Sequence, residues 1–278
     1  MSSSVLYDLP GPQARRRHRV AGGVGALGVA AVLGLAAVKL AEEGQFDAQT
    51  WRFLTVPGTY DAILGGLIST LRVAVVAIGL SLAFGGVLAA GRLSRVAVLR
   101  WPAIAVIEYF RAVPLLLLIF FIFLGFGDQI GRFWSLVVAL VLYTGSVLAE
   151  VFRAGIQSVP RGQREAAYAI GLSEGQVMRL VLAPQAVRVM LPAIISQSVV
   201  ALKDTALGSI IAYEELARVG ARIYVFYNNP LAVGVTIAAI YVVINYTLSR
   251  IAVTLEARQR RVRTAPGGGV QGVTGEPV

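Results

Sequence analysis

Residues 62–90 read AILGGLISTLRVAVVAIGLSLAFGGVLAA, and Arg72 is the single charged side chain among them. About 20 apolar residues in a helix cross the hydrocarbon of a bilayer. Inside lipid the backbone must satisfy its own polar groups, so a run like this one is a helix. Working outward, five more runs have the same character: 20–38, 102–126, 133–156, 189–211 and 231–253. The third span, 102–126, carries Glu108 and Arg111, and the fourth ends on Glu150 and Arg153. Lys203 and Asp204 interrupt the fifth, and Arg250 lies near the end of the sixth. The expected fold is an all-α integral membrane protein with six transmembrane helices.

Composition agrees and removes most other classes. Of 278 residues, 56% are hydrophobic and 14% charged, with mean hydropathy +0.72. A soluble domain is about 45–50% apolar and about 25% charged. Zero cysteines exclude disulfides, cysteine metal sites and thiol chemistry. The one histidine, His18, sits in a basic tail, which excludes a histidine-centred active site, and no metal site is expected. The run 20–38 also resembles a cleaved signal segment, but it is too long, and Lys39 to Glu42 make a poor cleavage site. It is expected to remain as an extra N-terminal helix, 20–40.

Lysine and arginine collect on the cytoplasmic side of a membrane. With the N-terminus inside, the inner segments hold fifteen basic residues and the outer segments four. Both termini are therefore expected in the cytoplasm of a multi-pass cell-membrane protein: a basic N-tail, 1–19, and a basic disordered C-tail, 256–278. Topology absorbs most of the net charge of +10 and leaves no call for a nucleic acid; the surrounding partner is lipid. No phosphate-binding glycine loop occurs, so any nucleotide must sit on another subunit.

Between the fourth and fifth spans, residues 158–184 read SVPRGQREAAYAIGLSEGQVMRLVLAP. Pro160 and Gly162 end the incoming helix, and Gln163 to Ile170 are good helix formers. Gly171 supplies a stop, and Ser173 with Gln176 forms a capping box for a second helix running to Pro184. A short alanine-faced helix at 163–171 is thus exposed to the cytoplasm, suited to docking in a groove.

The spacing of Glu165, Ala166, Ala167, Gly171, Val181 and Pro184 resembles the signature loop of ABC importer permease subunits. Val181 and Ala183 depart mildly from the usual residues. Further segments resemble the polar amino acid branch: 108–115 (EYFRAVPL), 150–157 (EVFRAGIQ) and 202–207 (LKDTAL). The N-terminal VLYDLPGP resembles the D-type permeases of actinobacterial glutamate importers. The resemblance covers 60–255 as a five-helix permease domain, leaving the first helix as an addition. It implies that Glu165, Ala166, Ala167, Gly171 and Pro184 couple to an ATP-binding-cassette ATPase dimer, which carries ATP-Mg. This chain then binds no cofactor and is no enzyme. A second permease, homologous or identical, and an extracytoplasmic substrate-binding protein complete the implied assembly. The cargo is expected to be a polar amino acid, L-glutamate first, with glutamine, aspartate, arginine or histidine as alternatives.

Charges within a bilayer are costly unless paired or facing a cavity. Lys203, Asp204 and Thr205 either line or gate a substrate path, or pair structurally with Glu108, Glu150, Arg72 or Arg111. Glu108–Arg111 and Glu150–Arg153 have the spacing of pairs on one helical face. Tyr143, Thr144, Gly145 and Ser146 make a polar patch, with room for a ligand beside Gly145 or serving as glue between helices. Arg72 meets an anionic substrate group or a neighbouring carboxylate. Residues 213–227 read as an amphipathic external helix, which the resemblance places where the cavity closes. The rival class is a proton-coupled secondary transporter using Glu150 or Asp204 as a relay.

Overall fold

The structure is a computed structural model describing residues 11–263. The first ten residues of the basic N-tail, with most of VLYDLPGP, and the tail after Arg263 lie outside the described residues. The described residues are almost entirely helical, with no strand among them. They form two compact units that meet in sequence at Pro57 and Gly58.

The first unit is built on α1 (Pro12–Glu42), which starts with proline at its first turn. Its chain turns at Gly44, φ 67°, where the Thr50 hydroxyl donates to the Gly44 carbonyl at 2.8 Å. A 3-10 turn, Arg52–Thr55, buries Phe53.

The second unit contains α2 (Pro57–Leu93), α3 (Ala97–Ala112), α4 (Leu115–Gln157), α5 (Arg161–Ala169), α6 (Glu174–Gln176), α7 (Ala183–Asp204), α8 (Leu216–Tyr227) and α9 (Pro230–Arg263). A π turn, Val177–Leu182, joins α6 to α7, and a 3-10 segment, Thr205–Ile211, follows α7. Among the described residues five helices are long and apolar enough to cross a membrane: 13–42, 57–93, 115–157, 174–211 and 230–250.

The third expected span differs from its expectation. It is no continuous helix, because Val113 and Pro114 are extended between α3 and α4, with ψ of 126° and 129°. Pro114 lacks an N–H, and its ring drives the preceding residue out of the helical region. The 43 residues of α4 would run about 65 Å if straight, twice the hydrocarbon thickness. Gly131, φ 73° and ψ 169°, divides it into 115–130 and 132–157. Leu118, Ile119 and Ile122 from one half share a buried cluster with Leu136, Val137 and Leu140 from the other, joined by Val73 and Ala77 of α2.

Two further expectations change. The second loop helix does not end at Pro184 but passes through the π turn into α7. A proline clashes with the carbonyl four residues back, and the wider π turn relieves it. The tail from 256 is helical as far as Arg263, since Glu-Ala-Arg-Gln-Arg-Arg favours helix.

Lipid offers no hydrophobic drive for one helix to meet another, so contact depends on close backbone approach. A Cβ on Gly85 of α2 would stand 2.7 Å from the Gly145 carbonyl oxygen of α4, and one on Gly145 would stand 2.7 Å from Phe84. Gly155 of α4 takes Met190 of α7 at 2.9 Å in the same sense, and Gly220 of α8 takes Ile237 of α9 at 2.6 Å. Gly86, beside Gly85, has nothing within 4 Å. Gly85→Ala is therefore expected to cost about 1–3 kcal/mol of stability. Gly86→Ala is expected to be neutral or to gain up to about 1 kcal/mol. Thermal unfolding midpoints of the two variants in detergent, compared with the unaltered chain, check the difference.

Candidate functional site

The loop between α4 and α7 forms by local rules. Pro160 precedes α5 with ψ 135°, and α5 stops at Ile170 because Gly171 turns left-handed at φ 84°. Ser173 and Gln176 make the reciprocal capping box, the Ser173 N–H donating to Gln176 Oε1 at 2.8 Å. One face of α5 rests on its own chain: Ala167, 3% exposed, joins Val159, Val177, Leu182, Ala186 and Met190 in a buried cluster. Glu165 and Ala166 are exposed, as are Gly171 and Pro184. Of the two alanines expected on the exposed face, Ala166 is exposed and Ala167 is spent on internal packing, and the exposed surface also includes Arg164, Glu165, Tyr168 and Ile170, the last 77% exposed.

Beside the loop stands an ion cluster. Arg92 of α2 reaches Glu108 of α3 at 3.0 Å and Glu150 of α4 at 2.9 Å. Arg153 pairs with Glu150 at 3.0 Å and donates to Gln157, while Arg111 lies 3.8 Å from Glu108. The i,i+3 pairs read from the sequence are present. Their common partner, Arg92, comes from another helix and left no mark in local spacing. Arg95, three residues on, binds Glu174 at 2.8 Å and so ties the end of α2 to the start of α6. Glu150 is held by two arginines and lies in this cluster, apart from Lys203 and Asp204.

Lys203 and Asp204 close α7, and Thr205 opens the 3-10 segment, fully buried with its hydroxyl donating to the Leu202 carbonyl at 2.7 Å. Lys203 is exposed and Asp204 half-buried, and the described residues give neither of them an ion-pair partner. Glu108, Glu150 and Arg111 are engaged with one another and with Arg92 and Arg153 instead.

Arg72 lies with its guanidinium 5.3 Å from the Phe133 ring centroid and has no carboxylate partner among the described residues. Phe133 in turn meets Tyr213 at 6.2 Å, and the Tyr213 hydroxyl bonds to Ser69. Burial pushes the Tyr213 hydroxyl above its usual range, against the pull of Ser69 and Arg72. The polar patch at 143–146 offers no room for a ligand beside Gly145, because Phe84, Ser81 and Gly85 of α2 fill that space. Ser146 is fully buried and donates to the Leu142 carbonyl at 2.7 Å, and Tyr143 packs half-buried against the central cluster.

The expected external helix is α8. It buries Leu216, Val219, Gly220 and Ile223, one face at helical spacing, and exposes Val225 and Phe226. Its first turn holds a residue that the sequence did not single out. Glu215, fully buried, caps α8 by accepting from the Ala217 N–H at 2.8 Å and the Arg218 N–H at 2.7 Å. The Tyr241 hydroxyl of α9 donates to the same carboxylate at 2.8 Å. Burial raises the Glu215 carboxyl above its ordinary value, more than these donors lower it. Its contribution to the stability of the fold is therefore complete below the ordinary glutamate value and is lost as pH rises through the raised one. A buried-carboxylate signal, Glu immediately before an apolar helical face, was available in the sequence at 214–216, but the whole stretch 213–227 reads as an amphipathic helix with its charges outward.

The family described as binding-protein-dependent transport system inner membrane component matches residues 58–261. The glutamate transport system permease protein GluD of Corynebacterium glutamicum is 41% identical over 232 residues, 81% of this chain and 85% of that one. The glutamate/aspartate import permease protein GltK of Escherichia coli is 34% identical over 172 residues, 58% of this chain and 77% of its own length. Among solved structures, that of an amino acid ABC transporter with histidines superposes with TM-score 0.69 at 32% identity, covering 74% of this chain and 98% of the other.

The ion cluster makes a measurable demand. Arg92→Gln and Glu150→Gln each break the bridge, and their effects on thermal stability are expected to be non-additive by about 1 kcal/mol. Additive effects in a double-mutant cycle would mean that Arg92 and Glu150 do not support each other.

Proposed function

Because the chain belongs to the family of binding-protein-dependent transport system inner membrane components, we propose that it is the permease of an ATP-driven importer whose cargo is L-glutamate. The glutamate and glutamate/aspartate permeases among its relatives support the cargo. So does Arg72, a cation left without a carboxylate partner among the described residues, which a substrate carboxylate would supply. The α4 halves 115–130 and 132–157 count as separate crossings, which gives six with both termini in the cytoplasm, as the distribution of arginines favours.

The observation that carries the proposal is the inner loop. A nine-residue helix held on a buried cluster by Ala167, with Tyr168 and Ile170 projecting, is a knob shaped for another protein's groove. That protein is an ATPase pair holding ATP-Mg. Glu165, Ala166, Gly171 and Pro184 shape the contact, and Ala167 anchors it. A second permease and an external binding protein complete the path, which Lys203, Asp204 and Thr205 gate. Tyr143, Ser146 and Glu150 support it from within the bundle. Cargo shifts such a two-state equilibrium only by its differential affinity, so the drive comes from nucleotide acting through the loop. A proton relay through Glu150 is disfavoured by its two arginine partners.

Proteoliposomes containing the chain with its ATPase, second permease and binding protein test this. Glutamate uptake is expected to require ATP, to survive a protonophore, and to fall at least about tenfold with Lys203→Ala/Asp204→Ala. Gly171→Asp, which forces a side chain onto a left-handed residue, is expected to insert normally yet lose the ATPase. Uptake that persists without the ATPase and stops with the protonophore would contradict the proposal.

A further inference from the structure

The outer helix α8 is fastened along its whole length, and the fastening has an unusual chemistry at one end. α8 lies antiparallel to α2. At its start the Leu216 N–H donates to the Thr70 hydroxyl at 3.0 Å. One turn on, Val219 fills the space at Gly66, where a Cβ would stand 2.9 Å from it. At its end Tyr227 shares a hydrogen bond with Thr59 at 3.0 Å. On its other flank Gly220 receives Ile237 of α9. The packing is apolar and ordinary except at the first turn. There Glu215 binds Tyr241, Tyr241 bonds to Thr70, and Thr70 accepts from Leu216. Two hydrogen bonds thus string the three side chains together across α2, α8 and α9, and the Leu216 N–H ties Thr70 back to the start of α8.

A buried carboxylate held by neutral donors alone is a costly choice for a mere structural cap. Ser, Asp or Asn would cap α8 without reaching α9. The groups facing Glu215 are Thr70 from α2, Tyr241 from α9, and the Ala217 and Arg218 backbone N–H groups with the neighbouring Glu214 from its own segment. No cation is among its recorded partners, and Glu214 is turned to Arg222 at 3.2 Å instead. The hydrogen bonds hold the closed position while burial works against it. Such a balance gives a fastener that can be undone, whereas a fully compensated ion pair would lock.

We propose that Glu215 is the positioning residue of the outer closure, a carboxylate clasp that holds α8 against α2 and α9 and is released when the outer face opens. The inference rests on the importer proposal, through the placing of α8 on the outer side. Glu215 touches no cargo. It acts through Tyr241 and Thr70 on the position of α8.

The chain contains no cysteine, so a single Val219→Cys reports on the α8–α2 contact directly, Val219 being 3% exposed against Gly66. The probe is a membrane-impermeant maleimide added outside proteoliposomes that carry the nucleotide-free complex. Adding Glu215→Ala is expected to raise the labelling rate about tenfold, the effect of losing hydrogen bonds to a charged group. Glu215→Gln, which keeps an acceptor for the helix N–H groups and a partner for Tyr241, is expected to restore slow labelling. Should Glu215→Ala fail to assemble, Tyr241→Phe deletes one hydroxyl and is expected to raise labelling several-fold. Labelling unchanged by Glu215→Ala, or by Tyr241→Phe in its place, overturns the clasp. Failure of ATP-driven uptake by the complex without these substitutions would instead strike at the importer proposal itself.

Discussion

Where α2 passes α4, the two backbones touch at Gly85 and Gly145 with no side chain between them. In a bilayer that contact is the main resource available, because lipid tails solvate leucine as well as leucine does. A glycine also permits close approach where α4 receives the Met190 side chain of α7 at Gly155 and where α8 receives the Ile237 side chain of α9 at Gly220. Close approach brings the carbonyl of one helix within van der Waals reach of the next, and it fixes how far along each rod the other crosses.

α2 is the element that reaches every functional region of the second unit. Its C-terminal end carries Arg92 in the ion cluster and is followed by Arg95, bound to Glu174. Its middle is fixed to α4. Its N-terminal third carries Thr59, Gly66 and Thr70, the seat of α8. Under the proposed function, displacement of the loop by a partner would pass through Glu174 and Arg95 to a rod whose far end seats α8. Rigid helices with two discrete arrangements carry coupling over such distances. Arg72, two residues after Thr70, lies over the Phe133 ring.

Much of this was legible in the sequence, for reasons particular to each element. Apolar runs announce helices because length and hydropathy are local properties, and the capping box at Ser173 and Gln176 and the stop at Gly171 were equally local. The pairs Glu108–Arg111 and Glu150–Arg153 followed from helical spacing. Arg92 was not readable as their shared partner, since ion pairing between helices leaves no periodic trace. At Gly145 room for a ligand and glue between helices both stayed open, because nothing in the sequence says that Phe84 and Gly85 of another helix occupy that space. Ala167 was read as outward for the same reason, since its cluster is assembled from α4, the π turn and α7. Pro114 and Pro184 were visible, yet one breaks a span and the other only widens a turn. Context decides between those outcomes.

The central claim is that nucleotide state at the inner loop moves the outer helix. It is tested most directly by the distance between spin labels on Phe226→Cys of α8 and Val75→Cys of α2, sites that are 81% and 70% exposed. Double electron–electron resonance on the assembled complex is expected to show that distance change by several ångströms between the nucleotide-free and ATP-trapped states. A single unchanged distance in both states would contradict the account.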